Sequence, residues 1–157
     1  MIFVVLGTQK FAFDRLLKTM DILSEQLQEN VFAQIGHSKY IPQNFKYAKF
    51  LNKEEFEQNI RKCSLLITHG GVGTIMSGFN YNKPIIVVPR QKMFEEHVDD
   101  HQLQISNAFG KKNYVIECME MSHLLECIEE AKKHQFDTYQ SHHATVIHVI
   151  EEYLNSL

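Results

Sequence analysis

The stretch Leu65-Leu66-Ile67-Thr68-His69-Gly70-Gly71-Val72-Gly73-Thr74 decides the fold of this chain. An apolar strand leads directly into three glycines within four positions, and a helical segment follows to about Tyr81. Glycine permits a positive φ and lets a ligand come close to the backbone. The first N–H groups of the helix have no intrahelical acceptor and lie at the positive end of its dipole. Such a turn is suited to a phosphate, above all a diphosphate. The alternative is a turn that only packs the helix against the strand.

The same alternation of short apolar runs and amphipathic segments continues in both directions, which is typical of a parallel sheet covered by helices. We predict strands at residues 2–6, 31–35, 45–51, 65–68, 84–88 and 114–116. We predict helices at residues 13–27, 53–61, 71–81 and 100–109, then two terminal helices with apolar positions Leu124, Leu125, Ile128 and Ala131, and Val146, Ile150, Tyr153 and Leu154. With no repeat or linker, residues 1–157 form one Rossmann-like α/β domain with helices on both faces of the sheet.

Composition excludes several classes of protein. A net charge of -3 over 157 residues leaves no excess of basic residues for sequence-independent nucleic-acid binding. Cys63, Cys118 and Cys127 form no zinc pattern, and their apolar neighbours predict buried, reduced thiols in a cytoplasmic protein. The longest apolar runs are far shorter than the roughly 20 residues of a membrane-spanning helix.

Two familiar phosphate motifs do not fit the glycine turn. A P-loop needs Lys and then Ser or Thr after its last glycine, whereas Thr74 follows Gly73 directly. The dinucleotide fingerprint belongs after the first strand of its sheet, and this turn follows a later one.

A polar stretch, residues 89–102, follows the next strand of the predicted sheet. Parallel strands bind ligands beyond their carboxyl ends, so this stretch and the glycine turn should lie close together. His97 and His101 are four residues apart, but no third ligand is identifiable, so we predict no metal site. A solvated acidic loop with Asp100 at a helix start is the alternative to a functional site.

Residues 69–74, 83–90 and 95–102 together resemble the C-terminal domain of GT-B glycosyltransferases of family 28. Within that family the chain most resembles the short, stand-alone bacterial polysaccharide-synthesis subunits, and residues 7–9 and 13–16 resemble them too. It is also similar to the catalytic subunit of the split eukaryotic GlcNAc transferase that builds dolichol-linked glycans. The resemblance extends from Met1 to about Phe109.

The resemblance implies a site for a UDP-sugar. The diphosphate would be held at the glycine turn, uracil by main-chain groups at the end of the third strand, and the sugar hydroxyls by a polar pair after the fifth strand. His69 would either face the phosphates or pack under the loop, and Arg90 or Lys92 would add positive charge at the cleft. The family usually has Glu or Asp on the ribose where this chain has Ser77. The implied binding residues are Thr8, Phe50, Leu51, His69, Gly70, Gly71, Gly73, Thr74, Ser77, Arg90, His101 and Gln102.

The resemblance also implies a function. The chain would be the donor-binding half of a two-component hexosyltransferase that moves a sugar from UDP to a lipid-linked acceptor in capsule or exopolysaccharide synthesis. The general base would be His97, Glu95 or Asp100, or a group on the partner. No metal or other cofactor is required. The chain would be cytoplasmic, held at the inner face of the membrane by an acceptor-binding subunit, and its apolar terminal helix would dock on that subunit or form a homodimer. A non-catalytic enhancer of a partner transferase and a nucleotide-sugar epimerase are the alternatives.

Overall fold

The computed structural model describes residues 1–139, and the last predicted helix lies outside the described residues. Six strands form one sheet in the order β3-β2-β1-β4-β5-β6, and every adjacent pair is parallel. The strands are β1 Ile2–Val5, β2 Val31–Gln34, β3 Lys46–Ala48, β4 Leu65–Thr68, β5 Ile85–Val87 and β6 Ile116–Glu117. The order reverses between β1 and β4, and a crevice at such a point is where open α/β sheets bind ligands.

Five α-helices lie in the described part of the chain, each within a segment connected to the sheet. They are α1 Asp14–Ser24, α2 Lys53–Lys62, α3 Val72–Asn80, α4 His101–Lys111 and α5 Leu124–Lys133. Two short 3-10 turns, Lys92–Phe94 and Met121–His123, precede α4 and α5 respectively.

The sheet has an apolar layer on each face, which confirms the prediction of helices on both sides. Along β1, Ile2 and Val4 pack into one layer with residues of α1 and α5. Phe3 and Val5 pack into the other with residues of α2, α3 and α4. Alternation of side chains across a strand sends successive residues to opposite faces, so an unbroken apolar strand has both faces buried.

The largest differences from the predicted elements are at the edges of the sheet. The predicted third strand, residues 45–51, pairs only over Lys46–Ala48, because Asn52 and Glu55 then form a capping box that begins α2. The predicted last strand, residues 114–116, pairs one residue later, at Ile116–Glu117, after Asn113 takes a positive φ of 61°. Edge strands have one neighbour, so fewer contacts set their length.

The predicted thiols are free, and Cys63 and Cys118 are buried, whereas Cys127 is half-buried. No helix within residues 1–139 is both long and apolar enough to span a bilayer.

Candidate functional site

The loops that follow β1, β2 and β4 meet at the carboxyl edge of the sheet. Gly7 and Gly36 have φ angles of +84° and +56°, a region that favours glycine. A Cβ on Gly36 would lie 2.5 Å from the carbonyl oxygen of Gly7, and a Cβ on Gly7 would lie 2.6 Å from Nε2 of His69. Three loops are therefore in direct contact around the reversal point of the sheet.

His69 packs beneath the glycine loop, between the loop after β1 and the start of α3. The backbone N–H of Gly71 donates to its Nδ1 at 3.1 Å, which requires an unprotonated nitrogen. Burial, together with the nearby charge of Arg90, lowers the pKa of His69 to about 3. Of the two roles considered for His69, the structure shows packing under the loop by a neutral ring.

The three glycines of the turn differ in the space that surrounds them. None takes a positive φ, so that part of the expectation is wrong for this turn. A Cβ on Gly71 would overlap the His69 ring, and a Cβ on Gly70 would lie 2.6 Å from Cβ of Gln102. A Cβ on Gly73 would meet nothing within 4 Å. Close packing explains the first two, and only Gly73 borders open space.

The first turn of α3 has no side-chain cap. Gly71 is the N-cap residue, no acidic residue lies in the first turn, and the first intrahelical bond runs from Ile75 N–H to Gly71 O at 3.2 Å. The preceding N–H groups of the turn therefore have no intrahelical acceptor. Thr74 is half-buried in this turn, and the hydroxyl of Ser77 donates to the carbonyl of Gly73 at 3.1 Å. Ser77 thus has a local partner where the family usually has a carboxylate.

Gln102 joins the two loops that the sequence placed together. Its Oε1 accepts hydrogen bonds from the backbone N–H groups of Gly70 and Arg90, both at 3.0 Å, and the residue is buried in the first turn of α4. Gln102 therefore clamps the glycine loop to the loop after β5. Its carbonyl oxygen is already engaged within the protein, so only the amide nitrogen is left for the predicted sugar contact.

Arg90 is buried, contrary to the prediction that it presents a charge at the cleft. Its guanidinium donates to the carbonyl oxygens of Leu6, Phe11 and Glu96, and stacks at 5.0 Å over the ring of Phe13. Burial lowers its pKa to about 10, and the Glu96 carboxylate opposes this shift. The side chain turns inward because these carbonyls, two of which follow β1 and one of which belongs to its own loop, need donors. Lys92 is exposed and keeps the role of a charge at the surface.

Glu96 and Arg15 are central to this edge of the sheet, although the sequence interpretation did not select them. The Arg15 guanidinium donates to both carboxylate oxygens of Glu96 at 3.0 Å, and Gln91 N–H donates to Oε1 at 3.1 Å. Glu96 is buried, whereas the adjacent Glu95 is exposed. The only sequence signal for this ion pair was that Arg15 lies within residues 13–16, which carry part of the family resemblance. Nothing in the local sequence distinguishes Glu95 from Glu96.

Among the three catalytic candidates, only His97 has a side-chain carboxylate partner. Its Nδ1 lies 3.0 Å from Oδ1 of Asp99 and accepts the backbone N–H of Asp99 at 3.3 Å, and Nδ1 of His101 lies 2.9 Å from Oδ2 of the same carboxylate. Asp99 also accepts the backbone N–H of His101 at 3.0 Å. A carboxylate that fixes the orientation of an imidazole is a recurrent arrangement around general bases. Asp99 lies within residues 95–102, which carry part of the family resemblance, but it is not among the site residues predicted from the sequence.

Glu95 and Asp100 lie on the exposed part of the same loop. Glu95 has a φ of 58°, and its side chain forms no hydrogen bond or ion pair within the described residues. Asp100 accepts the backbone N–H of Lys92 at 2.9 Å. Asp100 is the residue before α4, but its side chain does not cap the helix. Within residues 1–139, no group of three His, Cys, Asp or Glu side chains could hold a metal ion.

Phe50, Leu51 and Thr8 lie at the other end of the same edge. Phe50 is 50% exposed and contacts His37 edge-on, with ring centroids 5.2 Å apart. The backbone N–H of Leu51 donates to Oε1 of Gln34 at 2.9 Å, so this donor already has a partner. Thr8 is exposed directly after Gly7. The site residues thus line the ends of β1, β3, β4 and β5.

Known proteins share this sequence and fold. The family described as glycosyltransferase family 28 C-terminal domain matches residues 1–153. The human UDP-N-acetylglucosamine transferase subunit ALG13 is 28% identical over an alignment of 142 residues that covers 83% of this chain and 12% of that protein. The NMR solution structure of ALG13 superposes with a TM-score of 0.61 at 17% identity, covering 94% of this chain and 93% of that one.

The calicheamicin glycosyltransferase CalG4 has the same fold over a larger chain. It superposes with a TM-score of 0.63 at 14% identity, covering 98% of this chain and 38% of CalG4. Both structural likenesses concern the fold alone. The family match extends over nearly the whole sequence, and so this chain belongs to glycosyltransferase family 28, as a C-terminal domain of that family.

Proposed function

We propose that this chain binds a UDP-sugar and is the donor subunit of a two-component hexosyltransferase that acts on a lipid-linked acceptor. The observation that carries the proposal is the uncapped first turn of α3 beside open space at Gly73. Unpaired N–H groups at a helix start bind a diphosphate without any positively charged side chain. Membership of family 28 supports the reading of this turn as a donor site.

The same turn supplies the chemistry that the leaving group needs. When the bond from the sugar to UDP breaks, negative charge develops on the diphosphate. Fixed N–H dipoles stabilise that charge without reorganisation, so neither a metal nor another cofactor is required. We assign the Thr74 hydroxyl, half-buried in this turn, as a further donor to the same phosphates.

The nucleoside and the sugar are assigned to either side of this turn. Uracil lies against the exposed Phe50 and the half-buried Leu51 at the end of β3. Because the Leu51 N–H is engaged by Gln34, uracil would use other main-chain groups of this segment. The sugar hydroxyls lie at the start of α4, near His101 and the amide nitrogen of Gln102.

His97, oriented by Asp99, is the proposed general base on this chain, and the partner subunit is the other possible source of a base. The partner is proposed to hold the acceptor, while residues 1–153, which match the C-terminal domain of the family, hold the donor. Human ALG13 is itself named a subunit of a transferase, and this chain spans only 12% of it, so the partner stays a proposal.

Capsule or exopolysaccharide synthesis at the inner face of the membrane is the proposed setting. Homodimerisation through the predicted terminal helix is proposed as an alternative assembly.

A glycine-to-alanine pair tests the donor site with little risk to the fold. Gly73→Ala places a methyl group in the space assigned to phosphate, whereas a Cβ on Gly110 would make an ordinary contact at 3.7 Å with Glu117, far from the site. Calorimetry with UDP and a panel of UDP-sugars should show at least a tenfold weaker affinity for Gly73→Ala and an unchanged affinity for Gly110→Ala. If Gly73→Ala left the affinity for UDP unchanged, the donor site would not lie at this turn.

The alternatives give different results in the same assay. A non-catalytic enhancer would bind no UDP-sugar, and an epimerase would convert one without an acceptor. For transfer itself, radiolabelled sugar should reach a lipid-linked acceptor only when the chain and its partner-containing membranes are combined. Full transfer by the purified chain alone would refute the two-component proposal.

A further inference from the structure

An open groove of 1040 Å³ lies beside the candidate site, between the loop after β1 and the loop after β5. Four lysines from separate parts of the chain line it, namely Lys10, Lys18, Lys39 and Lys92. Apolar lining comes from Phe11, Phe94 and Val98. The proposed general base His97 also lines this groove, whereas the proposed contacts of the UDP-sugar use none of these side chains apart from the surface charge of Lys92.

The groove is more basic than the rest of the molecule. Five basic side chains line it against three carboxylates, whereas the whole chain has a net charge of -3. One carboxylate, Glu96, is paired with Arg15. Another, Asp14, accepts the backbone N–H groups of Lys39 and Tyr40. No ion pair in the described residues engages the four lysines, so their charge is available to an anionic partner.

The rim of the groove carries an unusual concentration of exposed apolar side chains. Within residues 1–139, seven large apolar side chains are exposed, and three of them belong to the loop after β5. Met93 is 74% exposed, Val98 63% and Phe94 44%. Exposed apolar side chains grouped in this way mark an interaction surface.

The loop is held in this exposed form by its own hydrogen bonds. Glu96 N–H donates to the carbonyl of Gln91 at 3.1 Å, and the buried Arg90 donates to the carbonyl of Glu96 at 3.0 Å. Lys92 N–H donates to Asp100 at 2.9 Å. These bonds anchor the backbone of the loop, and in this conformation Met93 and Val98 are exposed.

We propose that this basic groove and its apolar rim form a docking surface for an anionic lipid bilayer. Lysines beside exposed apolar side chains match the two layers of a bilayer interface, with phosphate headgroups outside and acyl chains beneath. The core of a protein–protein interface is, in contrast, depleted of charged residues, and lysine in particular is disfavoured there. The chain thus has a membrane contact of its own, in addition to any contact through a partner.

Vesicle flotation tests the docking surface without any sugar nucleotide, so its outcome is independent of the donor site. The chain is mixed with vesicles of neutral phosphatidylcholine or with vesicles that also contain phosphatidylglycerol. We expect flotation with the anionic vesicles only, and a decrease as NaCl is raised, because exposed charges are screened. Equal flotation with both vesicle types, or none with either, would overturn the proposal. The salt titration uses the unaltered chain and needs no variant.

Two variants and their matched controls locate the contact. Lys10→Gln combined with Lys92→Gln should weaken binding to anionic vesicles about 25-fold, since each lysine near such a surface contributes about fivefold. Lys62→Gln combined with Lys133→Gln, at the far ends of α2 and α5, should leave binding unchanged. If both double substitutions weakened vesicle binding equally, the contact with the membrane would lie elsewhere on the molecule.

The apolar rim is tested in the same way. Met93→Ser combined with Val98→Ser should abolish the salt-resistant part of the binding, whereas Ile22→Ser, at an equally exposed position on α1, should not. Thermal melts confirm that each variant is folded, as expected for exposed positions. Unchanged binding by the Met93 and Val98 variant would contradict the role of the rim.

Discussion

The two loops of the candidate site at the carboxyl edge of the sheet differ in the groups that they present. The glycine loop, residues 69–74, offers backbone N–H groups, and its composition reveals this directly. The loop after β5, residues 90–99, works through side chains, and the identity of its residues does not reveal their direction. Arg90 and Glu96 point inward and build the site, while Met93 and Val98 point outward. Function carried by the backbone can be predicted locally, whereas function carried by side chains depends on distant partners.

The strongest test of this difference is the stability of Arg90→Met compared with Lys92→Met. The first variant leaves three carbonyl groups without their donor, and each unsatisfied buried group costs about 1–3 kcal/mol. We expect Arg90→Met to lose about 3–5 kcal/mol in urea unfolding and Lys92→Met to change by less than about 0.5 kcal/mol. Similar losses in both variants would mean that the inward direction of Arg90 is unimportant.

A second test separates glycines that pack from the glycine that borders open space. Gly71→Ala puts a methyl group into the His69 ring, and such overpacking costs about 1–3 kcal/mol. Gly73→Ala, in the open first turn of α3, should leave stability unchanged or raise it by up to about 1 kcal/mol. Chemical denaturation measures both, and a more stable Gly71→Ala would contradict the packing role.

The buried ring of His69 predicts a pH dependence of the stability of the chain. Its pKa is about 3 in the folded chain and near 6.5 when unfolded, so the unfolded state binds more protons between these values. Its contribution to stability is therefore complete above pH 6.5 and is lost as the pH falls towards 3. Between pH 6.5 and pH 5 the loss should be about 1.5–2 kcal/mol.

The control for this pH dependence is His69→Gln, which retains a polar side chain of similar length but does not titrate. Its unfolding free energy should fall less over the same pH interval, by the amount assigned to His69. Parallel curves for the two proteins would show that His69 is not buried in neutral form.

The smallest expected effect concerns two neighbouring aspartates. Asp99 contacts both His97 and His101, so Asp99→Asn should cost about 1 kcal/mol or less, and Asp100→Asn less still. The sharper difference is expected in the pH profile of transfer. If Asp99 orients His97, Asp99→Asn should displace the profile, while Asp100→Asn should leave it in place. An identical profile in both variants would remove Asp99 from the catalytic proposal.

The sequence by itself determined the architecture and predicted where the candidate site lies. Unbroken apolar runs such as residues 2–5 and 65–68 predict strands buried on both faces, and the glycine turn predicts an anion site at a helix start. Periodicity and turn chemistry act over a few residues, so they can be interpreted without knowledge of the fold. The motifs at residues 69–74, 83–90 and 95–102 were sufficient to suggest the family, which the family match over residues 1–153 confirms.

Only the tertiary structure decided which polar side chains build the site and which are left to meet a ligand. The partners of Arg90 include Leu6 and Phe11, and the partner of Glu96 is Arg15, all about 80 residues away in the chain. A loop has no periodic pattern from which burial can be predicted, so the sequence does not distinguish Glu95 from Glu96. The two differ in the structure because Arg15, at the start of α1, pairs with Glu96. The direction of a loop side chain is set by the donors and acceptors that neighbouring strands leave unpaired at the edge of the sheet, and those groups come together only when the sheet forms.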